Sequence, residues 1–565
     1  MSASQLRRMW VVALIMGFAF LVIVGRLFAF QLTQGEDFKE ILITDLPVTD
    51  QPERGVIYDR NGSILAVDRW DYRVAISPSI LTDPEELANS LAPILQIPRS
   101  QLLYDMESPD MYVVLAKRVS SDVADAIRKI EYADEVQLEP LPRRFYPQDS
   151  LMCHVLGFVN FDNEGSAGVE GKYQDILAGQ PASATVAISP LREQTPVIAR
   201  EGSDLVLTID RSVQYVVEQH LKQALVEHGA VSGSIIVMDP RTGALLAMAA
   251  EPCYSPNEFY DLEDGATFNP LVSAVYEPGS VMKLITMAAA LDSGTVKPET
   301  TYNDTGAIEV GGHISYNWDR GAHGVVDMTT LLARSLNVGA ATIATWMGPT
   351  TFYDYFQRFG FGHPTNIDIM SEAGGLMPLP GSEEWQESFL ATNSYGQALA
   401  VTPLQMISSV SALANKGLLM QPYVVAEIHN ENGVEVHEPV PVGQVVSPNT
   451  AAQMTAMATI AVQAEVQEAL VDGYTVAGKT GTAQIAEPFG YHPTDVIGSF
   501  IGWLPADDPE IIVFVKLDRP KSAPWGSMTA APVFSKLAKE LVVLLDIPPD
   551  AVRLQADIDA ARGGG

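Results

Sequence analysis

Residues 281–291, VMKLITMAAAL, are apolar on nearly every helical face, and a helix of that kind belongs inside a domain rather than on its surface. Pro278-Gly279 reads as a turn before it and Gly294 as its stop. One charged residue, Lys283, sits within the run. Burying an ammonium is costly unless it is paired or loses its proton. Ser280 lies three positions earlier, so the two side chains share a face. A hydroxyl beside a desolvated amine is a candidate activated nucleophile. On this stretch alone, a lysine snorkelling from a surface helix is the alternative.

The chain can enclose such a helix. Its 565 residues are 47% hydrophobic and 18% charged, which allows several domains or one large catalytic domain with accessories. The net charge of −34 argues against a nucleic-acid partner and against docking to anionic lipid through a basic face. Residues 9–25, MWVVALIMGFAFLVIVG, followed by Arg26 and LFAF, are about long enough to span a bilayer. Arg7 and Arg8 before the run place the N-terminus in the cytoplasm and the remainder outside. No A-x-A site follows, so an uncleaved anchor is expected rather than a signal peptide. Cys153 and Cys253 lie a hundred residues apart, which is weak evidence for a bond, and the reading leans towards two free thiols. The histidines show no ligand spacing, so neither a metal nor another cofactor is expected.

Along the chain, VIYDRNGSILAVDRWDYRVAI alternates around D-R-N-G as a β-hairpin. DPEELANSLAPIL and SSDVADAIRKI read as amphipathic helices. A second region opens with the strand LVLTI, a helix over 211–228 and a hairpin around residues 239–243. Helices and loops are expected over about 325–470. Three strands, YTVAGKTGTAQIA, VIGSFIGWLP and EIIVFVKLD, then precede the helix APVFSKLAKELVVLL and a polar tail. Strands at both ends with helices between predict an α/β domain, with one antiparallel sheet assembled from both ends and covered by helices.

Two more motifs join S-x-x-K. Ser335-Leu336-Asn337 breaks two apolar helical pieces, and Lys479-Thr480-Gly481-Thr482 sits on a strand. Each alone is weak: S-x-N is more often a helix cap, and K-T-G suits a solvated strand edge. In this order, on helix, loop and strand, the set resembles that of the penicillin-binding proteins and class A β-lactamases. RGVIYDRNGSILA and RRFYPQDSLMCHVLGFVNFDNEGSAGVEGKYQDILAGQ look like the pedestal of the class B, monofunctional penicillin-binding proteins. LTIDRSVQ, DPRTGALLAMA, YEPGSVMK, FGFG and NSYGQALAVTPLQM look like landmarks of their transpeptidase domain. The segment SLNVGAATIATWMGPTTFYDYFQRFGFG looks closer to the division (septal) type than to the elongation type. Val281-Met282 stands where Thr-Phe is usual in that family, and Leu336 where Ser or Asp is; both departures bear on antibiotic affinity more than on chemistry.

The resemblance implies a penicillin-binding protein/β-lactamase-like transpeptidase domain over 201–545, with a mostly helical subdomain. It implies an elongated α+β pedestal (dimerisation-like) domain over 31–200, a single transmembrane helix over 9–30, a cytoplasmic stub over 1–8 and a polar tail over 546–565. No glycosyltransferase region is expected. The implied activity is cross-linking of peptidoglycan stem peptides through a serine acyl-enzyme with loss of the terminal D-Ala, and covalent capture of β-lactams. Ser280 would be the nucleophile, Lys283 its base, Ser335 a proton relay and Asn337 a holder of substrate amide and lysine. Lys479, Thr480, Gly481 and Thr482 would bind the substrate carboxylate, and the backbone N–H groups of Ser280 and Thr482 would form the oxyanion hole. Implied partners are a membrane glycan polymerase of the SEDS family, met through residues 9–30 and the pedestal including 54–68, and other division or elongation proteins. A β-lactamase would need a deacylating glutamate; Glu387 matches that segment faintly, since Ala391 replaces an expected asparagine. A D,D-carboxypeptidase or a β-lactam-binding sensor are the other readings.

Overall fold

The β-branched runs at both ends of the second region meet in one sheet. In the computed structural model of the protein, which describes residues 10, 16–18, 20–26, 52–180, 200–262, 265, 267–487 and 490–563, five antiparallel strands form it. Their order is Ala477–Glu487, Gly490–Leu504, Ile511–Asp518, Ser232–Met238 and Leu245–Glu251. The pairing of Ile511–Asp518 with Ser232–Met238 joins the two ends of the region. These inner strands are buried on nearly every residue, as near-continuous apolar runs require.

Arg211–His228 and Ala530–Leu544 pack on the sheet through Val217, Leu221, Phe534 and Leu537. Asp210 accepts hydrogen bonds from the N–H groups of Ser212 (2.8 Å) and Val213 (3.2 Å), which starts the first of these helices where its sequence does. Lys283–Asp292 is buried at every position from Lys283 to Leu291, in contact with Asn337–Arg358, Pro403–Ala414 and Pro448–Glu465.

In the first region, Ile57–Tyr58 turns back into Ile64–Ile76 at the D-R-N-G turn. Gly62 takes a φ of +81° there, and Asp59 accepts from the N–H groups of Asn61 and Ser63. Ile64–Ile76 pairs with Val113–Val119 and Val136–Phe145, under helices Pro84–Leu95 and Arg99–Met106 that bury Leu87, Leu91 and Leu102. Ile57–Tyr58 also lies parallel to Asp204–Leu207, and Val425–Asn430 and Gly433–Val436 extend that sheet. Strands therefore occur within the stretch read as helices and loops.

Charge ties this region together from inside. Glu170 is fully buried between Arg54 (2.7 Å) and Arg144 (2.6 Å). Arg144 also pairs with Asp68 at 3.0 Å, and Arg54 donates its backbone N–H to the same carboxylate. Burial pushes the Glu170 carboxyl up, but Arg144 and Arg54 outweigh it and hold it below its ordinary value. The Arg54 and Asp68 side chains are thus internal struts; within 54–68, the exposed residues are the turn at 60–62 and Ile64.

Two expectations change, and a third is described only in part. Cys153 and Cys253 form a disulfide, with Cα atoms 6.2 Å apart; the fold brings together what a hundred residues separate. The tail is not simply a polar extension, because Asp550–Gly563 is helical. Asp550 accepts from the N–H and hydroxyl of Thr475, both at 2.7 Å, and Arg553 pairs with Asp507 at 2.6 Å, so the start of that helix is docked. Half of the anchor read at 9–30 lies outside the described residues. Among these, residues 10, 16–18 and 20–26 are helical, and no helix is long and apolar enough to cross a membrane. Residues 1–53 with 179–202 form one compact unit, and residues 54–178 with 203–565 the other.

Candidate active site

The first turn of the buried helix is a tight one, Gly279–Met282, and it carries Ser280. Its neighbours press on it closely. Gly279 has a φ of +58°, and a Cβ there would lie 2.8 Å from the carbonyl oxygen of Thr482. Gly279 N–H donates to the carbonyl of Gly396, whose own absent side chain leaves the room for that contact. Gly481, the glycine of K-T-G-T, would place a Cβ 2.3 Å from Ser499 Oγ and 2.9 Å from Val281 Cγ2. The strand Ala477–Glu487 can approach the serine turn only because that position is glycine.

Ser335 closes the helix Met328–Arg334 in the left-handed conformation, φ +57°, which turns the chain between the two helical pieces. Asn337 opens the next helix and donates through Nδ2 to the Tyr316 carbonyl (2.9 Å), which fixes its Oδ1 towards the lysine. Lys283 Nζ lies 2.8 Å from Ser280 Oγ, 2.8 Å from the Ser335 carbonyl, 3.2 Å from Ser335 Oγ and 2.7 Å from Asn337 Oδ1. Lys283 is 1% exposed, and among the described residues no carboxylate touches it. Burial first, and then neighbouring Lys479, hold its pKa well below that of an ordinary lysine. Lys479, 2% exposed, is lowered by burial to about 7.

The partners suit a neutral amine. Ser335 O and Asn337 Oδ1 can only accept, so they take its two N–H bonds, and the lone pair is left for a hydroxyl such as that of Ser280. The sequence placed S-x-x-K on a helix and S-x-N in a break between two others; the structure brings the side chains of Ser280, Ser335 and Asn337 to the Lys283 nitrogen. Thr480 and Thr482 line the same cleft as Ser280, Ser335 and Asn337, a space of about 890 Å³. Gly526 N–H donates to Thr482 Oγ1. Glu387 is exposed and lies outside this lining, and it is no candidate for deacylation here.

Residues 233–539 match the penicillin binding protein transpeptidase domain, and residues 49–207 match the penicillin-binding protein dimerisation domain. The chain belongs to the class B penicillin-binding proteins. Among curated relatives of this penicillin-binding protein, stage V sporulation protein D of Bacillus subtilis is 31% identical over 94% of the chain and 84% of the relative. Peptidoglycan D,D-transpeptidase FtsI of Escherichia coli is 30% identical over 88% and 85%. The crystal structure of penicillin binding protein 3 from Mycobacterium tuberculosis complexed with aztreonam superposes with a TM-score of 0.68 at 28% identity, covering 88% of this chain and 97% of that one.

Sequence reasoning missed the strap that flanks the motifs. Tyr316, Asn317 and Trp318 line the cleft, and Trp318 stands against Trp525 with ring centroids 5.5 Å apart. Two tryptophans in polar, turn-rich stretches, NWDRG and APWGS, were the available signal, because apolar and aromatic side chains predominate in the lining of ligand clefts.

Proposed function

We propose that the D,D-transpeptidase reaction of this class B penicillin-binding protein runs through an acyl-enzyme on Ser280. The observation that carries the reading is the Lys283 amine, buried without a carboxylate and 2.8 Å from Ser280 Oγ. Its lone pair takes the serine proton as Ser280 attacks the carbonyl between the two terminal D-alanines. Ser335, 3.2 Å from the same nitrogen, passes a proton to the departing D-Ala amine. The terminal carboxylate of the donor sits at Lys479, Thr480 and Thr482. A carboxylate there raises the Lys479 pKa and keeps it charged in the complex, although burial alone sets it near 7.

Ala477–Glu487 is the edge of its sheet, so alternate backbone groups face away from the neighbouring strand, and a peptide can add to it as a further strand. The N–H of Thr482 and that of Ser280 then hold the oxyanion; losing one such donor costs about 3 kcal/mol of transition-state stabilisation. The amine of a second stem peptide resolves the acyl-enzyme and completes the cross-link. Ser280→Ala should abolish covalent labelling by a β-lactam without lowering thermal stability; labelling that persists on another serine, located by peptide mass mapping, overturns the assignment.

The reading extends to residues 9–30 as a single-pass anchor with the catalytic region outside the cytoplasm, and to division rather than elongation. The apolar run behind Arg7 and Arg8 supports the first, and similarity to a protein named FtsI supports the second. A fluorescent fusion confined to the side wall contradicts the division role. A membrane glycan polymerase of the SEDS class is the expected partner through the anchor; replacing residues 9–30 by an unrelated transmembrane helix should weaken its co-purification, and unchanged recovery contradicts that contact.

A further inference from the structure

On a chain of net charge −34, the catalytic cleft is lined by Arg320, Arg334, His313 and His323 against a single carboxylate, Glu465. Two of these basic residues have a carboxylate neighbour. Arg334 has Glu465 at 3.9 Å, and His323 has Asp319 at 3.1 Å. Arg320 has no carboxylate partner among the described residues. Its guanidinium lies 5.1 Å from the ring centroid of Tyr316, on a backbone of φ +56° that is uncommon for a residue with a side chain.

The turn that carries Arg320 is bolted to the S-x-N motif at two points. The Tyr316 carbonyl accepts from Asn337 Nδ2 (2.9 Å), and the Asn317 Oδ1 accepts from the backbone N–H of Val338 (3.0 Å). Asn317, 2% exposed, is held in turn by Asp304, at 2.9 Å from both carboxylate oxygens, and its carbonyl accepts from Arg320 N–H to close the turn. The backbone under Arg320 is therefore fixed relative to Ser335 and Asn337. A planar guanidinium on such a mount is prepared to grip a carboxylate through two parallel N–H bonds.

We propose that Arg320 binds a carboxylate on the donor peptide, upstream of the two terminal D-alanines, and so makes this enzyme selective for donors whose upstream acid is free and not amidated. The inference rests on the cleft being the donor site. The donor's terminal carboxylate is already assigned to Lys479, Thr480 and Thr482, so the Arg320 ligand is a second one.

The test compares two synthetic donor peptides ending in D-Ala-D-Ala, one with the upstream carboxylate free and one with it amidated, by kcat/KM for D-Ala release. The wild type should prefer the free acid by about tenfold or more, as expected for a lost charge-assisted pair. In Arg320→Gln the ratio should fall to near one, chiefly through the acid's own rate, while Arg358→Gln, outside the cleft, keeps the wild-type ratio. Arg320→Lys, which keeps charge but not the fork, should retain an intermediate ratio and serves if Arg320→Gln does not fold. A wild-type ratio near one, or a full ratio in Arg320→Gln, overturns the proposal. Mass analysis of the β-lactam adduct on wild-type Ser280 is run alongside: an adduct on Ser280 with no donor preference rejects Arg320 alone, and no adduct on Ser280 rejects the donor site with it.

Discussion

In the pedestal, Arg54 and Arg144 are buried with Glu170 between them; in the cleft, Lys283 and Lys479 are buried with no carboxylate in contact among the described residues. The first arrangement keeps its charges, because each guanidinium has a partner and the remaining N–H groups reach the carbonyls of Gly55 and Glu170. The second cannot keep both of its charges cheaply, so burial pushes protons off. Residue type reinforces the difference. Arginine stays protonated when desolvated, whereas lysine titrates. Burying cations with partners holds a fold together, and burying them without partners prepares a base.

Exchanging the residue type in the cleft should have the largest effect. Lys283→Arg retains a cation but removes the lone pair, and acylation by a β-lactam should fall by about 10²–10⁴-fold, the usual worth of a general base. Stopped-flow or intact-mass kinetics measure it; a loss under tenfold would mean that only positive charge is needed.

Removing the partner in the pedestal should come next. Glu170→Gln leaves two buried guanidiniums without their shared counter-charge and should destabilise the fold by about 3–5 kcal/mol. Chemical denaturation reads this, and the acylation rate per folded molecule should be unchanged. Because the folded Glu170 pKa is depressed, its stabilisation is present above the unfolded carboxylate value of about 4.3 and is lost as pH falls through the folded value. Lys283 behaves in the opposite sense. Its folded pKa is depressed, so between that value and about 10.4 the unfolded chain binds the extra proton, and its contribution to stability improves as pH rises. Acylation, which needs the neutral form, should likewise rise with pH through the lowered value and then level off.

Gly481→Ala, which alters no charge, should slow acylation by roughly tenfold or more by pushing the K-T-G strand off Val281 and Ser499, since ångström misplacement costs up to about a hundredfold. Asp210→Ala should be the mildest, a loss of about 1 kcal/mol from an uncapped helix with acylation intact, read by thermal unfolding.

Features that rest on local chemistry were legible before the structure. The helix over 211–228, the hairpin at D-R-N-G and the burial of the run 281–291 were each read from their own residues. The motif set was legible because each part needs a particular local element. Non-local pairings were not. Nothing near Val425 announces that it pairs with Leu207, nor does Cys153 point to Cys253. The role of Tyr316 was hidden for another reason: it acts on Asn337 through its backbone carbonyl, which every residue type carries. Asp550–Gly563 was missed because its docking depends on Thr475 and Asp507, far away in sequence.

Lys283 as a neutral amine poised on Ser280 is tested most directly by its own titration. With lysine labelled at Cε and Nζ, the resonance that disappears in Lys283→Arg can be followed by NMR against pH. Lys283 should titrate well below the ordinary value of about 10.4, with a higher midpoint in Lys479→Gln, where the neighbouring cation is gone. A Lys283 that titrates at the ordinary lysine value while Ser280 is acylated at its normal rate would contradict a neutral base there.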